Sequence, residues 1–394
     1  MLEKISKLRI SEASMQRREF VKWLGVGTGV GAVMASGRGF TQDADFTFYS
    51  ALAEQWYRAG KYFEWTSTTE YNNERKVNVF YRQFGDPQNP ALLLVHGYPT
   101  SSFDYRDLIA ELEQEYYLCT LDFPGFGFSD KPQQGYSYML ADDARLLHHF
   151  VHEILGLQQF SLYTHDRGVS VGLAFLDNYL QGNNQHYQLD YHFMSNSGMF
   201  LPLANLFPGQ TVLLDPVRGP EAIRQLKAVP RRTEGTPEEV AYADIHAFND
   251  GIGARLGVGK YLLERAVNET RWLELLPGSP VPVGYLWGML DVVNPVRIAN
   301  HVWSTYLNQR QQESSFWYIP LGGHYPQRDQ PEQVARVIRM CLQGQVPTVE
   351  QEDAFMRTYA ASREQDWPLY VGRSQVRQME FPGAVPYSPS GYRY

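Results

Sequence analysis

The sequence predicts an α/β fold, a mostly parallel sheet flanked by helices, with a helical cap inserted late in the chain. Three observations carry it. Short apolar runs at Ala91–Val95, Phe160–Tyr163, Val283–Gly288 and Phe316–Ile319 read as buried strands, and each empties into a turn that holds glycine or a polar residue. Two of those turns open onto apolar residues at helical spacing, from Val169 through Leu180 and from Pro331 to Leu342. Between Gly198 and Gly278 the strand–helix alternation breaks, and the chain reads as helices with Pro- and Gly-marked joints.

At 394 residues, with 43% hydrophobic content, the chain can fill one large core and still carry an inserted cap. The formal net charge of -8, without long like-charge blocks, describes an ordinary acidic protein and argues against a nucleic-acid surface. Cys119 falls in an apolar strand and Cys341 in the apolar final helix, so both read as buried free thiols. No spacing of metal ligands is present, and no cofactor is expected. No internal repeat stands out.

The first 37 residues read as a leader. Gln16-Arg17-Arg18-Glu19-Phe20-Val21-Lys22 resembles a twin-arginine export signal. A glycine-rich apolar run from Trp23 to Met34 follows, then Ala35-Ser36-Gly37 offers small residues for cleavage. The run is too short and glycine-rich for a stable membrane span. The expectation is a mature chain starting near Arg38, handed folded to the twin-arginine machinery and released to a periplasmic or extracellular location. The stretch from Ala44 to Trp65 reads as a helical, aromatic segment packing on the core. The core is expected over 38–197 and 280–347, the cap over 198–279. Residues 348–394 form an extension that is polar and then rich in Pro, Tyr and Gly; it is either disordered or wrapped on the surface.

The stretch Tyr163-Thr164-His165-Asp166-Arg167-Gly168-Val169 is the most informative. A strand, a tight turn and a helix make the context of a nucleophile elbow, which pushes one side chain above the sheet. Gly168 suits the crowded turn. Asp166 is then the exposed residue, and a carboxylate is already ionised at neutral pH. Such a nucleophile suits displacement at saturated carbon. Asp291 sits in the turn after one strand and His324 in the turn after the next, so the chain order is Asp166, Asp291, His324. Taken singly, Asp166 reads equally as a helix N-cap, Asp291 as a turn former and His324 as a loop histidine. The order of all three is what favours a triad.

His96-Gly97-Tyr98-Pro99-Thr100-Ser101-Ser102, Leu121-Asp122-Phe123 with Gly125-Phe126-Gly127-Phe128-Ser129-Asp130-Lys131-Pro132, Asp291 with Val293-Asn294-Pro295, His324-Tyr325-Pro326-Gln327 and Asn249-Asp250-Gly251 carry a resemblance. Over roughly residues 70 to 345 the chain resembles the epoxide hydrolase and haloalkane dehalogenase branch of the α/β-hydrolase superfamily, and within it the mesoderm-specific transcript protein group. Most related hydrolases keep a serine where this chain has Asp166. The resemblance implies an α/β-hydrolase fold. It further implies that Asp166 attacks an electrophilic carbon to give an alkyl–enzyme ester, and that His324, oriented by Asp291, activates the water that releases it. The backbone N–H groups of Tyr98 and Arg167 would form the oxyanion hole.

Departures from the family pattern bear on the substrate. Haloalkane dehalogenases place a Trp after the nucleophile and a second Trp or Asn in the His-Gly-x-Pro turn; here Arg167 and Tyr98 stand there, which disfavours dehalogenation. Fluoroacetate dehalogenases carry Asp-Arg-Gly and a second Arg one helical turn on, where this chain has Ser170. Arg167 is open to two roles, holding an anionic substrate or forming a structural ion pair. Epoxide hydrolases use two cap tyrosines as proton donors to the opening ring. Tyr261 falls at one such position; near the start of the cap stand Phe200 and Phe207, leaving Tyr242 as the substitute. The reading is therefore an exported hydrolase acting on a small-molecule epoxide. The alternatives are a haloalkane or haloacid dehalogenase, and a non-catalytic binding protein that kept the fold.

Overall fold

The computed structural model describes residues 46–183, 186–364 and 366–375. The expected leader over 1–37 and the end of the chain beyond 375 lie outside the described residues. Nine strands make one sheet: β1 Lys61–Thr66, β2 Lys76–Phe84, β3 Ala91–Val95, β4 Tyr117–Leu121, β5 Gln159–His165, β6 Gln188–Ser195, β7 Val283–Gly288, β8 Ser314–Ile319 and β9 Leu369–Arg373. Their order is β1-β2-β4-β3-β5-β6-β7-β8-β9. From β4 to β8 every pairing is parallel, and β1, β2 and β9 add antiparallel edges.

Parallel strands covered on both faces must be apolar along their whole length. β4 and β7 are buried at every position, and β3 from its second residue on. The two-residue period then sorts them between two cores. Leu93, Val95, Cys119, Leu162 and Trp287 join one, with helices Leu140–His149, Arg167–Asn178 and Val296–Val302. Leu92, Leu94, Leu118, Tyr163 and Leu286 join the other, with helices Ala51–Arg58, Arg106–Leu112 and Pro331–Leu342. In that last helix Val334, Ala335, Val337, Ile338 and Cys341 form one apolar stripe. Cys119 and Cys341 are buried free thiols, as expected.

Between β6 and β7 the chain makes the inserted helical cap, with helices Pro208–Thr211, Arg218–Lys227, Pro237–Ala247, Gly251–Val258 and Tyr261–Leu273. Thr236 starts the third of these. Its hydroxyl accepts from the Glu239 N–H while the Glu239 carboxylate accepts from the Thr236 N–H, and Pro237 fills the first helical position.

Two segments differ from expectation. Of the described residues 46–65, only Ala51–Arg58 are helical; after Gly60, Lys61–Thr66 is strand β1. Lys-Tyr-Phe-Glu-Trp-Thr buries alternate residues, Phe63 and Trp65, against helix residue Phe150 and strand β2, so the two-residue period wins over a helical one. The extension begins as helix Glu352–Ser362 and strand β9, which pairs with β8. The Glu352 carboxylate fixes that strand by accepting from the Tyr370 hydroxyl at 3.1 Å and the Arg373 N–H at 2.9 Å.

Candidate active site

The C-terminal ends of β3, β5, β6, β7 and β8 deliver the candidate residues to one place, as expected of ligands at the carboxyl edge of a parallel sheet. Asp166 directly follows β5 and precedes helix Arg167–Asn178, with φ 51° and ψ -117°. For a non-glycine residue this backbone is strained, and the surrounding turn holds it there. The Asp166 N–H donates to the Ser195 carbonyl at 3.2 Å, and the Ser197 hydroxyl donates to the Asp166 carbonyl at 2.6 Å. Close approach explains two glycines. A Cβ on Gly97 would lie 2.4 Å from the Asp166 Cβ, and one on Gly168 would lie 2.5 Å from the Val95 carbonyl oxygen.

The carboxylate of Asp166, 5% exposed, is held at both oxygens. Oδ1 accepts from the Tyr98 N–H at 2.7 Å. Oδ2 accepts a long bond from Asn294 Nδ2 at 3.4 Å and faces His324 Nε2 at 3.7 Å. On the other side of the ring, His324 Nδ1 lies 2.9 Å from Asp291 Oδ2. Asp291 is fixed in turn: Oδ1 accepts from the N–H groups of Val293 and Asn294, each at 2.8 Å, and Oδ2 from Asn196 Nδ2 at 2.9 Å. The structure thus brings Asp166, Asp291, His324 and Tyr98 together. Arg167 opens the helix, so its N–H is a first-turn donor with no acceptor a turn before it.

Electrostatics follow from this geometry. Burial alone would raise the Asp166 carboxyl; His324, Arg265, His165 and the Tyr98 N–H outweigh it and hold the group below the usual carboxylate range. Burial would lower His324, but the carboxylates of Asp291, Asp166 and Asp104 raise it to about 9. His165 is pushed down to about 4 by burial and by the neighbouring His324. Neutral at pH 7, it donates from Nε2 to the His324 carbonyl at 2.6 Å and so braces the loop. His96, also pushed down to about 4 by burial, accepts the Phe123 N–H on Nε2 at 3.1 Å and donates from Nδ1 to the Gly97 carbonyl.

The side chains expected to touch substrate divide. The Arg167 guanidinium is fully buried and pairs with Asp143, lying among the rings of Phe123, Phe126 and Tyr261. Of the two roles open to it, the geometry supports the ion pair. Tyr261 opens the last cap helix, and its ring lies 5.5 Å from that of Tyr98. Burial raises its phenol, Arg265 opposes that, and the Asp166 carboxylate adds to it. Its hydroxyl makes no hydrogen bond among the described residues. Tyr242 instead gives its hydroxyl to Asp104 at 2.8 Å, beneath the Arg328 guanidinium. Asn196, Asp104, Tyr325 and Arg265 border the site without having been singled out from sequence. Tyr325 follows His324 directly and packs its ring 4.7 Å from the imidazole.

Comparison with known proteins agrees with this fold. The model of the Alpha/beta hydrolase family matches residues 92–337. The chain belongs to that family. The putative hydrolase LipZ of Mycobacterium tuberculosis is 31% identical over 284 residues, covering 69% of this chain and 94% of that protein. The mesoderm-specific transcript homolog protein of Homo sapiens is 28% identical and covers 59% of this chain and 73% of its own. The resemblance read from sequence is thus present, yet LipZ is nearer by identity and coverage. Haloalkane dehalogenase 2 of Mycobacterium tuberculosis is 28% identical, covering 63% and 86%. Among solved structures, a thermophilic esterase from Thermogutta terrifontis superposes with a TM-score of 0.53 at 22% identity, covering 72% of this chain and 98% of that one. This member of the Alpha/beta hydrolase family is an enzyme, broadly of the esterase, lipase and dehalogenase type. Among the described residues, no helix is long and apolar enough to cross a membrane.

Proposed function

We propose that the chain hydrolyses an epoxide through an ester on Asp166. The observation that carries this reading is the setting of the Asp166 carboxylate. Oδ1 sits on the Tyr98 N–H, while Oδ2 faces the imidazole of His324 at 3.7 Å, with no hydroxyl in the elbow position. Asp166 Oδ2 attacks a ring carbon, the carbon–oxygen bond breaks, and the ring oxygen takes the proton of the Tyr261 hydroxyl. His324 then removes a proton from water, whose oxygen adds to the ester's carbonyl carbon. The Tyr98 and Arg167 N–H groups hold the oxyanion on Oδ1. Collapse breaks the ester bond; the departing alkoxide takes the proton from His324, and the proton left on the carboxyl returns to Tyr261. One epoxide and one water give one vicinal diol.

The charge distribution supports this order of steps. Before reaction, the Asp166 carboxylate is among the groups that raise His324 to about 9. Ester formation removes that charge and lowers the imidazole's pKa; His324 gives its proton to solvent, acts as base, and takes one back from solvent once the Asp166 carboxylate is restored. The His324 Nε2 makes no hydrogen bond among the described residues, which leaves it available to a water. In this reading the segment 198–279 roofs the site over a core of 38–197 and 280–347. Arg17-Arg18 and the apolar run behind them support passage through the twin-arginine machinery to the periplasm or exterior. Replacing both arginines by lysine should leave uncleaved protein in the cytoplasm, and unaltered export would remove the leader from the proposal.

Intact-protein mass spectrometry of His324→Ala after exposure to epoxides and haloalkanes tests the chemistry. Asp166 needs no base to attack, so the ester should accumulate. A mass gain equal to a whole epoxide, absent from Asp166→Asn, is the expected result. A gain equal to an alkyl group without its halogen would replace epoxide opening by dehalogenation. No adduct from a broad panel would sink the ester mechanism.

A further inference from the structure

The hydrogen bond to Asp291 holds only one corner of the His324 ring. Nδ1 lies 2.9 Å from Asp291 Oδ2, and Nε2 makes no hydrogen bond among the described residues. The last torsion of a histidine side chain is soft, so packing has to set the plane of the ring. Two rings supply that packing. His165 lies 5.1 Å away at 55°, and Tyr325 lies 4.7 Å away, edge-on at 77°. His165 is itself fixed, through its bond to the His324 carbonyl. Tyr325 is half-buried, and its ring lies beneath the Arg328 guanidinium.

That guanidinium lies over two rings, 4.9 Å from the centre of Tyr325 and 4.5 Å from that of Tyr242. Tyr242 belongs to the cap helix Pro237–Ala247, so the contact joins the cap to the loop that carries His324. Asp104 anchors the junction. Its Oδ1 accepts the Tyr242 hydroxyl at 2.8 Å and stands 3.8 Å from Arg328 Nη1, while Oδ2 accepts the Thr100 hydroxyl. Burial raises the Asp104 carboxyl, and Arg328 and the two hydroxyls oppose that. Thr100 lies in the turn that carries the Tyr98 N–H, so one buried carboxylate ties together the oxyanion turn, the cap and the His324 loop.

We propose that Arg328 is a positioning residue for His324: lying over Tyr242 and Tyr325, it fixes the Tyr325 ring, which in turn sets the plane of the imidazole. This rests on the ester mechanism proposed above. Only one of its two steps needs the imidazole. Asp166 attacks without help from His324, whereas release requires Nε2 to aim a water at the ester. Loosening Arg328 or Tyr325 should therefore slow release and leave ester formation alone.

Arg328→Lys provides the test. Lysine keeps the charge beside Asp104 but loses the flat guanidinium that covers two rings. If Arg328 served only as the counter-charge of Asp104, lysine would replace it in full. Single-turnover mass spectrometry of the full chain with styrene oxide follows both steps. Release should fall roughly 10-fold in Arg328→Lys and about 100-fold in Tyr325→Leu, the scale of a 1 Å misplacement, with ester formation unchanged. Both steps slowed alike, or neither slowed, would overturn the inference. A second readout needs no substrate. The NMR resonance of the proton between His324 Nδ1 and Asp291 should move upfield in Arg328→Lys as the ring tilts, and an unmoved resonance would overturn the inference by itself. The two levels stay separable: no adduct of His324→Ala with any epoxide sinks the ester mechanism, and the resonance still decides whether Arg328 orients His324.

Discussion

His324 Nε2 stands 3.7 Å from Asp166 Oδ2, near enough for a strong charge interaction and too far for a hydrogen bond. Removing the Asp166 charge should therefore move the imidazole. In Asp166→Asn, which has the charge state of the ester, the His324 titration midpoint should drop from about 9 by about 1–3 pH units. Nitrogen-15 NMR of the imidazole measures this directly, and an unmoved midpoint would end the argument that ester formation switches on the base. Stability follows the same linkage. Because folding raises the pKa, the contribution of protonated His324 is complete below its unfolded value near 6.5 and drains away as pH rises through about 9. Between those values the wild type should lose more thermal stability than His324→Gln.

Gly97 lies against the same carboxylate from below. An added methyl would sit 2.4 Å from the Asp166 Cβ and 2.9 Å from the His165 carbonyl oxygen, so either the elbow or the turn carrying the Tyr98 N–H has to shift. A displacement near 1 Å at a reacting group costs about 100-fold in rate. Gly97→Ala should lose roughly that much in ester formation, followed by mass spectrometry in the His324→Ala background. A trapping rate equal to that of the parent would show that the close approach is not needed.

What was legible in the sequence is what the backbone pattern encodes locally. Asp166, Asp291 and His324 each follow an apolar strand and sit in a short turn, so order alone brings them to one edge of the sheet. Arg265 was not legible in that way. Its partners Ser170 and Gly198 are 95 and 67 positions distant, and on an amphipathic helix a buried arginine reads like a solvated one. Tyr242 shows the converse: its type and place in the cap fitted a proton donor, but Asp104, 138 positions away, holds its hydroxyl. Strand β9 escaped because five residues with an internal glycine carry little periodicity, and its register comes from β8.

Arg167 and Asp143 form an ion pair that is almost wholly shielded from water. Removing one member leaves the other charge buried and alone, which costs about 3–5 kcal/mol. Arg167→Met should lower the unfolding free energy by that much. Arg167→Met with Asp143→Leu should recover most of the loss, since two apolar groups of similar volume replace a buried pair at little cost. Denaturant melts of the two variants decide the matter. A single variant as stable as the wild type would mean that the pair contributes nothing to the fold and would return Arg167 to the substrate side.

Asp244 ties the segment before the first helix to the cap. Its Oδ2 accepts from the N–H groups of both Tyr49 and Ser50, each at 2.7 Å, and Arg231 stands 3.5 Å from Oδ1. Phe46 and Phe48 pack their rings against Phe248 at the end of the same cap helix, and Trp56 Nε1 donates to the Ser102 hydroxyl in the loop after β3. The segment thus bridges cap and core on the side opposite Arg265. Asp244→Ala would strand two backbone donors, at about 1–3 kcal/mol for each one left buried. Relief comes from lifting the strap into water. Hydrogen exchange should then quicken across 46–58 and the cap helix Pro237–Ala247, with Tyr261–Leu273 little changed because Arg271 and Asp177 still hold it to the core. Faster exchange spread evenly over the whole cap would show that the strap governs the roof as one body; no change at either segment would show that the two N–H bonds contribute nothing to holding it.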